Sequence, residues 1–124
     1  METIKPSQNS PIGIFDSGLG GLTVLKSLET ILPNESFIYF GDTAHVPYGT
    51  KSAETVIRYS QHIMDFFQKH ETKAVVIACN TASAVAFQHL QQLYNIPLFD
   101  VVTPSVEFAI NHTKNKNIGV VGTF

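Results

Sequence analysis

Five short apolar runs punctuate the chain: Ile12–Phe15, Phe37–Phe40, Ala74–Ala78, Pro97–Val102 and Ile118–Val121. The segments between them carry apolar residues at helical spacing. This alternation constrains the fold more than any other feature. Leu22, Leu25, Leu28 and Leu32 form one stripe, which Pro33 stops. Val56, Ile57, Ser60, Ile63, Met64 and Phe67 form a second. It is expected to start near Thr50 to Ser52, with Glu54 in its first turn and Lys69 and His70 at its end, as the helix dipole favours. Val85, Ala86, Leu90 and Leu93 form a third, ended by Asn95 and Pro97, and a weaker fourth is expected from about Pro104 to Asn111. Runs such as Val75–Ile77, apolar on both faces, suit strands buried between two helical layers. The expected order β-α-β-α-β-α-β-α-β implies an α/β fold: an open, mainly parallel sheet with right-handed crossovers and helices on both faces.

With 124 residues, 44% hydrophobic and 15% charged, the chain suits one compact domain with a real core rather than a disordered segment. Its formal net charge of −2 provides no electrostatic footprint for nucleic acid and no polybasic hold on a membrane. No apolar run approaches the ~18 residues of a membrane span. Residues 1–10 are polar, unlike a secretory signal, and are expected to be a flexible leader to a domain over residues 11–124. One cysteine excludes an intramolecular disulfide and fits a reducing, cytoplasmic compartment. A lone cysteine also lacks metal-ligand spacing, so no metal site is expected. Gly122–Phe124 follow the fifth run directly, where a functional loop or a further domain is expected to begin.

The informative polar residues fall in the loops after the runs. These are Asp16–Gly21, Gly41–Gly49, Cys79–Ser83 and Thr103–Ser105. In a parallel sheet these loops share one edge, where helix N-termini favour an anionic ligand such as a carboxylate or phosphate. Gly18-Leu19-Gly20 after a strand invites a dinucleotide reading, with Asp42 near the place of a ribose-binding acid. Thr23 stands where the third glycine should be, however, and Asp16 would repel a pyrophosphate. Glycines that only permit a tight turn and close helix packing are the other reading.

Cys79 closes a buried run immediately before Asn80, Thr81 and a helix. A free cysteine is commonly a small core hydrophobe, but a helix N-terminus stabilises a thiolate. His45 shares a loop with Asp42 and Tyr48, either as a ligand contact or as a packing side chain. His62, His70, His89 and His112 are expected on the surface away from that edge. Tyr48-Gly49 after Pro47 is either a ligand-contacting turn or a plain one.

Taken together and in order, three segments resemble the glutamate racemase family: Gly13–Val24, Tyr39–Lys51 and Val76–Ala84. Pro104-Ser105 and Ile118–Thr123 fit more weakly, so the resemblance spans nearly all of residues 11–123. It implies an N-terminal half of an Asp/Glu racemase fold and interconversion of L- and D-glutamate, which supplies D-glutamate for peptidoglycan. It also implies that no cofactor, neither pyridoxal phosphate nor metal, takes part. Two cysteines on opposite faces of the substrate act as base and acid, because inversion needs proton transfer on both faces. Here the resemblance assigns Cys79 as the first-half base. It assigns Asp16, Ser17, Tyr48, Gly49, Asn80 and Thr81 to the substrate and the base. The family has a second, similar half with a second cysteine, and this sequence has one cysteine. The other cysteine would come from a C-terminal half or from a homodimer, and an uncovered half would expose apolar surface. His45 stands where many members have Arg. A non-catalytic small-anion or nucleotide-binding α/β module, or an inactive truncated chain, are the alternative readings. No nucleic-acid or membrane partner is expected.

Overall fold

The computed structural model describes residues 6–122. Half of the expected leader, residues 1–5, and Thr123 and Phe124 of the last segment lie outside the described residues. Four strands form: β1 (Ile12–Asp16), β2 (Phe37–Gly41), β3 (Ala74–Ile77) and β4 (Leu98–Asp100). They alternate with α1 (Leu22–Ile31), α2 (Ala53–Lys69), α3 (Asn80–Leu93) and α4 (Val102–His112). A 3-10 turn covers Tyr48–Thr50. The sheet is wholly parallel, in the order β2-β1-β3-β4, with Phe15 paired to Phe40 on one side and to Ile77 on the other.

This order reverses direction once. The crossover from β1 to β2 steps one way, and those from β2 to β3 and β3 to β4 step the other. Right-handed crossovers therefore put α1 on one face and α2 and α3 on the other. Ile14 and Phe15, adjacent in β1, point to opposite faces, and both are fully buried. The core lies under α2 and α3. Phe15, Val75 and Ile77 of the sheet meet Val56, Met64 and Phe67 of α2 and Ala82, Ala86 and Leu90 of α3. Ser52 caps α2 by accepting from the Thr55 N–H at 3.2 Å, at the position its spacing implied.

The leucine stripe forms α1 as expected, and the helix holds no buried residue, with Leu22 and Leu32 exposed. A stripe records what can be buried, and the partner decides what is. Two expectations need correction. The apolar run Ile118–Val121 forms no strand: β4 pairs with β3 alone, and Val120 and Val121 are exposed. A strand exists only through a ladder partner, which a local run cannot specify. The fourth run ends as a strand at Asp100 rather than reaching Val102, because Asp100 Oδ2 accepts from the N–H groups of Val102 and Thr103, at 3.0 and 2.8 Å. This starts α4 two residues earlier than its apolar spacing suggests.

Of the leader, Ser7–Ser10 make a turn closed by Ser10 N–H to Ser7 O at 3.1 Å. Lys73 Nζ donates to Gln8 O at 2.6 Å and pairs with Glu35. Among the described residues no helix is long and apolar enough to cross a membrane.

Candidate functional site

Ligands of doubly wound sheets bind outside the carboxyl ends of the strands, where the strand order reverses. Here that point lies between β1 and β3, so the loops leaving these two strands flank it. The first carries Asp16 and the second Cys79. Ala78 N–H donates to Phe15 O at 2.8 Å and holds the two strand ends together.

Asp16 is buried and shapes its own loop. Its Oδ2 accepts from the N–H of Gly18 at 3.0 Å and of Gly21 at 3.2 Å. The amides that a pyrophosphate would need are thus already answered by a fixed carboxylate, which weighs against the dinucleotide reading. Ser17 is half-buried between them. Tyr39, from β2, clasps the loop by donating its hydroxyl to Gly18 O at 2.9 Å. Burial, then the nearby Asp16 and Cys79, push the Tyr39 hydroxyl above its ordinary pKa, so it stays a proton donor. Tyr39 thereby places the two loops in one electrostatic neighbourhood.

Cys79 is the N-cap of α3. The strand ends at Ile77, leaving Ala78 and Cys79 as the whole connection, so Asn80–Ser83 form the first helical turn rather than a loop. The buried Cys79 Sγ accepts from the Ala82 N–H at 3.4 Å, as a capping oxygen would. Ser83 locks the turn to the sheet by donating to Ile77 O at 3.1 Å and accepting from the Val101 N–H at 3.4 Å.

An open cleft of about 1060 Å³ runs from this helix start to α4. Its polar wall holds Gly49, Lys51, Asn80, Thr81 and Ser105; Val85, Val102, Val106 and Ile110 are among its apolar lining, with residues 118–122 along one side. The site residues expected from sequence therefore divide. Gly49, Asn80 and Thr81 share the cleft wall, while Asp16, Ser17, Tyr48 and Cys79 lie outside that lining. Tyr48 is 1% exposed, and its hydroxyl donates inward to Asp42 Oδ2 at 2.5 Å. Burial, then that carboxylate, hold its hydroxyl far above the usual phenol range.

His45 is neither free nor buried. Its Nδ1 lies 2.7 Å from Asp42 Oδ1, and its ring stacks on Tyr59 with centroids 4.0 Å apart. The other four histidines are exposed, as expected. Tyr39 and Asp100 are site-building residues that the sequence does not single out, and Asp42, which the dinucleotide reading placed near a ribose, instead binds Tyr48 and His45. Their signal was weak: each is a polar group in or just after a strand, recognisable only once its partners are known. Among the described residues no group of three His, Cys, Asp or Glu is arranged to hold a metal ion.

A family model described as Asp/Glu/Hydantoin racemase matches residues 12–124. The chain is 48% identical over 124 residues to a curated glutamate racemase of Chlorobaculum tepidum, covering 99% of this chain and 46% of the relative. It is 55% identical over 112 residues to that of Geobacter metallireducens, covering 90% of this chain and 42% of the relative. Among solved structures, the Aquifex pyrophilus glutamate racemase superposes with a TM-score of 0.89 at 48% identity, over 91% of this chain and 45% of that one. A Francisella tularensis glutamate racemase solved in complex with D-glutamate gives a TM-score of 0.79 at 50% identity, over 83% of this chain and 40% of that one. The chain thus spans under half the length of these curated relatives.

Proposed function

The chain belongs to the Asp/Glu/hydantoin racemase family, and from that premise we propose that it forms the N-terminal half-site of a glutamate racemase. The carrying observation is Cys79, a thiol capping α3 at the reversal point of the sheet, beside the Asp16 loop. In this reading the Cys79 thiolate removes the Cα proton of D-glutamate and becomes a thiol. A second acid on the opposite face then delivers a proton to the carbanion, which inverts the centre. The amides of the first turn of α3 aim their positive ends at the thiolate and cost no reorganisation during the reaction. Asn80, Thr81 and the Gly49 main chain supply hydrogen bonds to the substrate carboxylates. Asp16, with Oδ2 held by its own loop, faces the substrate ammonium or the thiol proton. Ser17 lies alongside. The second acid comes from outside this chain's single cysteine, from a second half that also covers the apolar α4 face on which Val106 and Ile110, one turn apart, are exposed. The product serves peptidoglycan synthesis, and the cytosol keeps the thiol reduced.

The test follows D-glutamate with the chain in deuterium oxide by proton NMR, with Cys79→Ala as control and the protein's amide spectrum recorded in parallel. The expected result is perturbation of the Asp16–Gly21, Gly49, Asn80 and Thr81 amides at millimolar ligand, with loss of the Cα proton signal that Cys79→Ala abolishes. A folded chain whose amides ignore D-glutamate, or exchange that survives Cys79→Ala, overturns the proposal.

A further inference from the structure

Asp42 is a buried carboxylate for which the racemase reading has no use. It follows β2 directly, and its N–H donates to Asp16 O at 2.9 Å, so its backbone is tied to the first loop. Its side chain faces the other way along the chain. Oδ2 accepts the Tyr48 hydroxyl at 2.5 Å, and His45 Nδ1 sits 2.7 Å from Oδ1 and 3.0 Å from Oδ2. One carboxylate thus gathers residues three and six positions ahead of it. His45 continues the chain of contacts by stacking on Tyr59 of α2, over whose ring Arg58 sits 5.7 Å from the centroid.

The segment it gathers has little else to hold it. Residues 43–47 are all exposed. Two of the main-chain hydrogen bonds there, Thr43 N–H to Gly41 O at 2.9 Å and His45 N–H to Asp42 O at 3.2 Å, act only within the turn itself. Tyr48 is the anchor at the far end, and a buried phenol hydroxyl needs an acceptor. Immediately beyond that anchor come Gly49 and Lys51, on the cleft wall facing Asn80 and Thr81.

We propose that Asp42 is a positioning residue: through Tyr48 and His45 it sets the loop 43–51 so that Gly49 and Lys51 face the ligand cleft. Asp42 itself touches no ligand. The ligand's identity rests on the glutamate reading above, whereas the ordering of the loop does not.

Hydrogen exchange of the free chain, read by mass spectrometry on wild type, Asp42→Ala, Asp42→Asn and Asp42→Ala/Tyr48→Phe, tests this, with D-glutamate affinity measured in parallel. Asp42→Ala is expected to speed exchange of amides 43–51 about tenfold, the equivalent of one lost net hydrogen bond, without changing β1, β3 or α3. Asp42→Asn keeps an acceptor for the Tyr48 hydroxyl and is expected to restore most of the protection. Tyr48→Phe added to Asp42→Ala removes the hydroxyl left without an acceptor and is expected to slow exchange again rather than speed it further, because the two act as one unit. D-glutamate affinity is expected to fall by roughly the same factor in Asp42→Ala and to recover in Asp42→Asn. Unchanged exchange at 43–51, an acceleration spread evenly over the sheet, or an Asn variant as damaged as the Ala variant would each overturn the positioning role. A wild-type chain without any D-glutamate response defeats the glutamate reading alone, and the exchange comparison still decides Asp42.

Discussion

Gly21 is the glycine of the first loop whose missing side chain the packing requires. Its φ of −65° and ψ of −10° are open to any residue, so backbone freedom is not the issue. A Cβ there would stand 2.7 Å from Asp16 Cβ, 2.9 Å from Ala78 Cβ and 3.0 Å from Tyr39 Oη, all groups that build the site. At Gly18 and Gly20 the nearest atoms are 3.4 and 3.7 Å away, an ordinary contact. Gly21→Ala gains about 0.4–1 kcal/mol from a stiffer unfolded chain but costs about 1–3 kcal/mol in overpacking. Urea unfolding is therefore expected to show net destabilisation, while Gly20→Ala stays near neutral. Equal stabilities for the two variants would contradict this. The sequence shows the glycines as a set. Which of them is sterically required depends on Ala78 and Tyr39, distant in sequence and near only in the fold.

At the scale of elements, start signals with a local mechanism were legible. Ser52 before Ala53-Glu54-Thr55 is a capping pattern complete within four residues, and α2 begins there. Ser52→Ala is expected to cost about 1 kcal/mol in thermal or urea unfolding, because the Thr55 N–H loses its acceptor. A Ser52→Asp variant should retain most of the stability, and an Ala variant indistinguishable from wild type would refute the cap. The start of α4 was less legible because Asp100, not a residue of the helix, answers its first amides. The fifth apolar run forms no strand for a related reason: strand character there would have to come from pairing to β4, and that ladder is absent among the described residues.

For the molecule as a whole, the buried Tyr48 makes stability depend on alkaline pH. The ordinary tyrosine value is 10.0, and in the fold Tyr48 is held well above it by burial and then by Asp42. Tyr94 is raised by burial and then by Asp65. A raised folded value means that this contribution is fully present below about pH 10. It is lost as pH rises further, because the unfolded chain releases protons that the folded one keeps. Through Tyr48 this adds a decline of roughly 1.4 kcal/mol per pH unit, and the half-buried Tyr94 adds less because solvent screens it. Between about pH 10 and 12, Tyr48→Phe should flatten the measured slope of unfolding free energy against pH by that amount, whatever it does to absolute stability. An unchanged slope would mean that the Tyr48 hydroxyl ionises freely in the folded state. Legible along the chain were the α/β layering, the order of four strands and four helices, and the placing of Asp16, Tyr48, Gly49 and Cys79 at or after the carboxyl ends of strands. Apolar periodicity, turn residues and caps act over a few residues, and a parallel sheet sends successive loops to one edge. The three-dimensional packing settles that the sheet reverses between β1 and β3, that Tyr48 turns its hydroxyl inward to Asp42, that α1 stays largely uncovered and that Ile118–Val121 remains unpaired. Each of these depends on which distant group lies across a gap of a few ångströms, and pairing across the fold leaves no periodic trace along the chain.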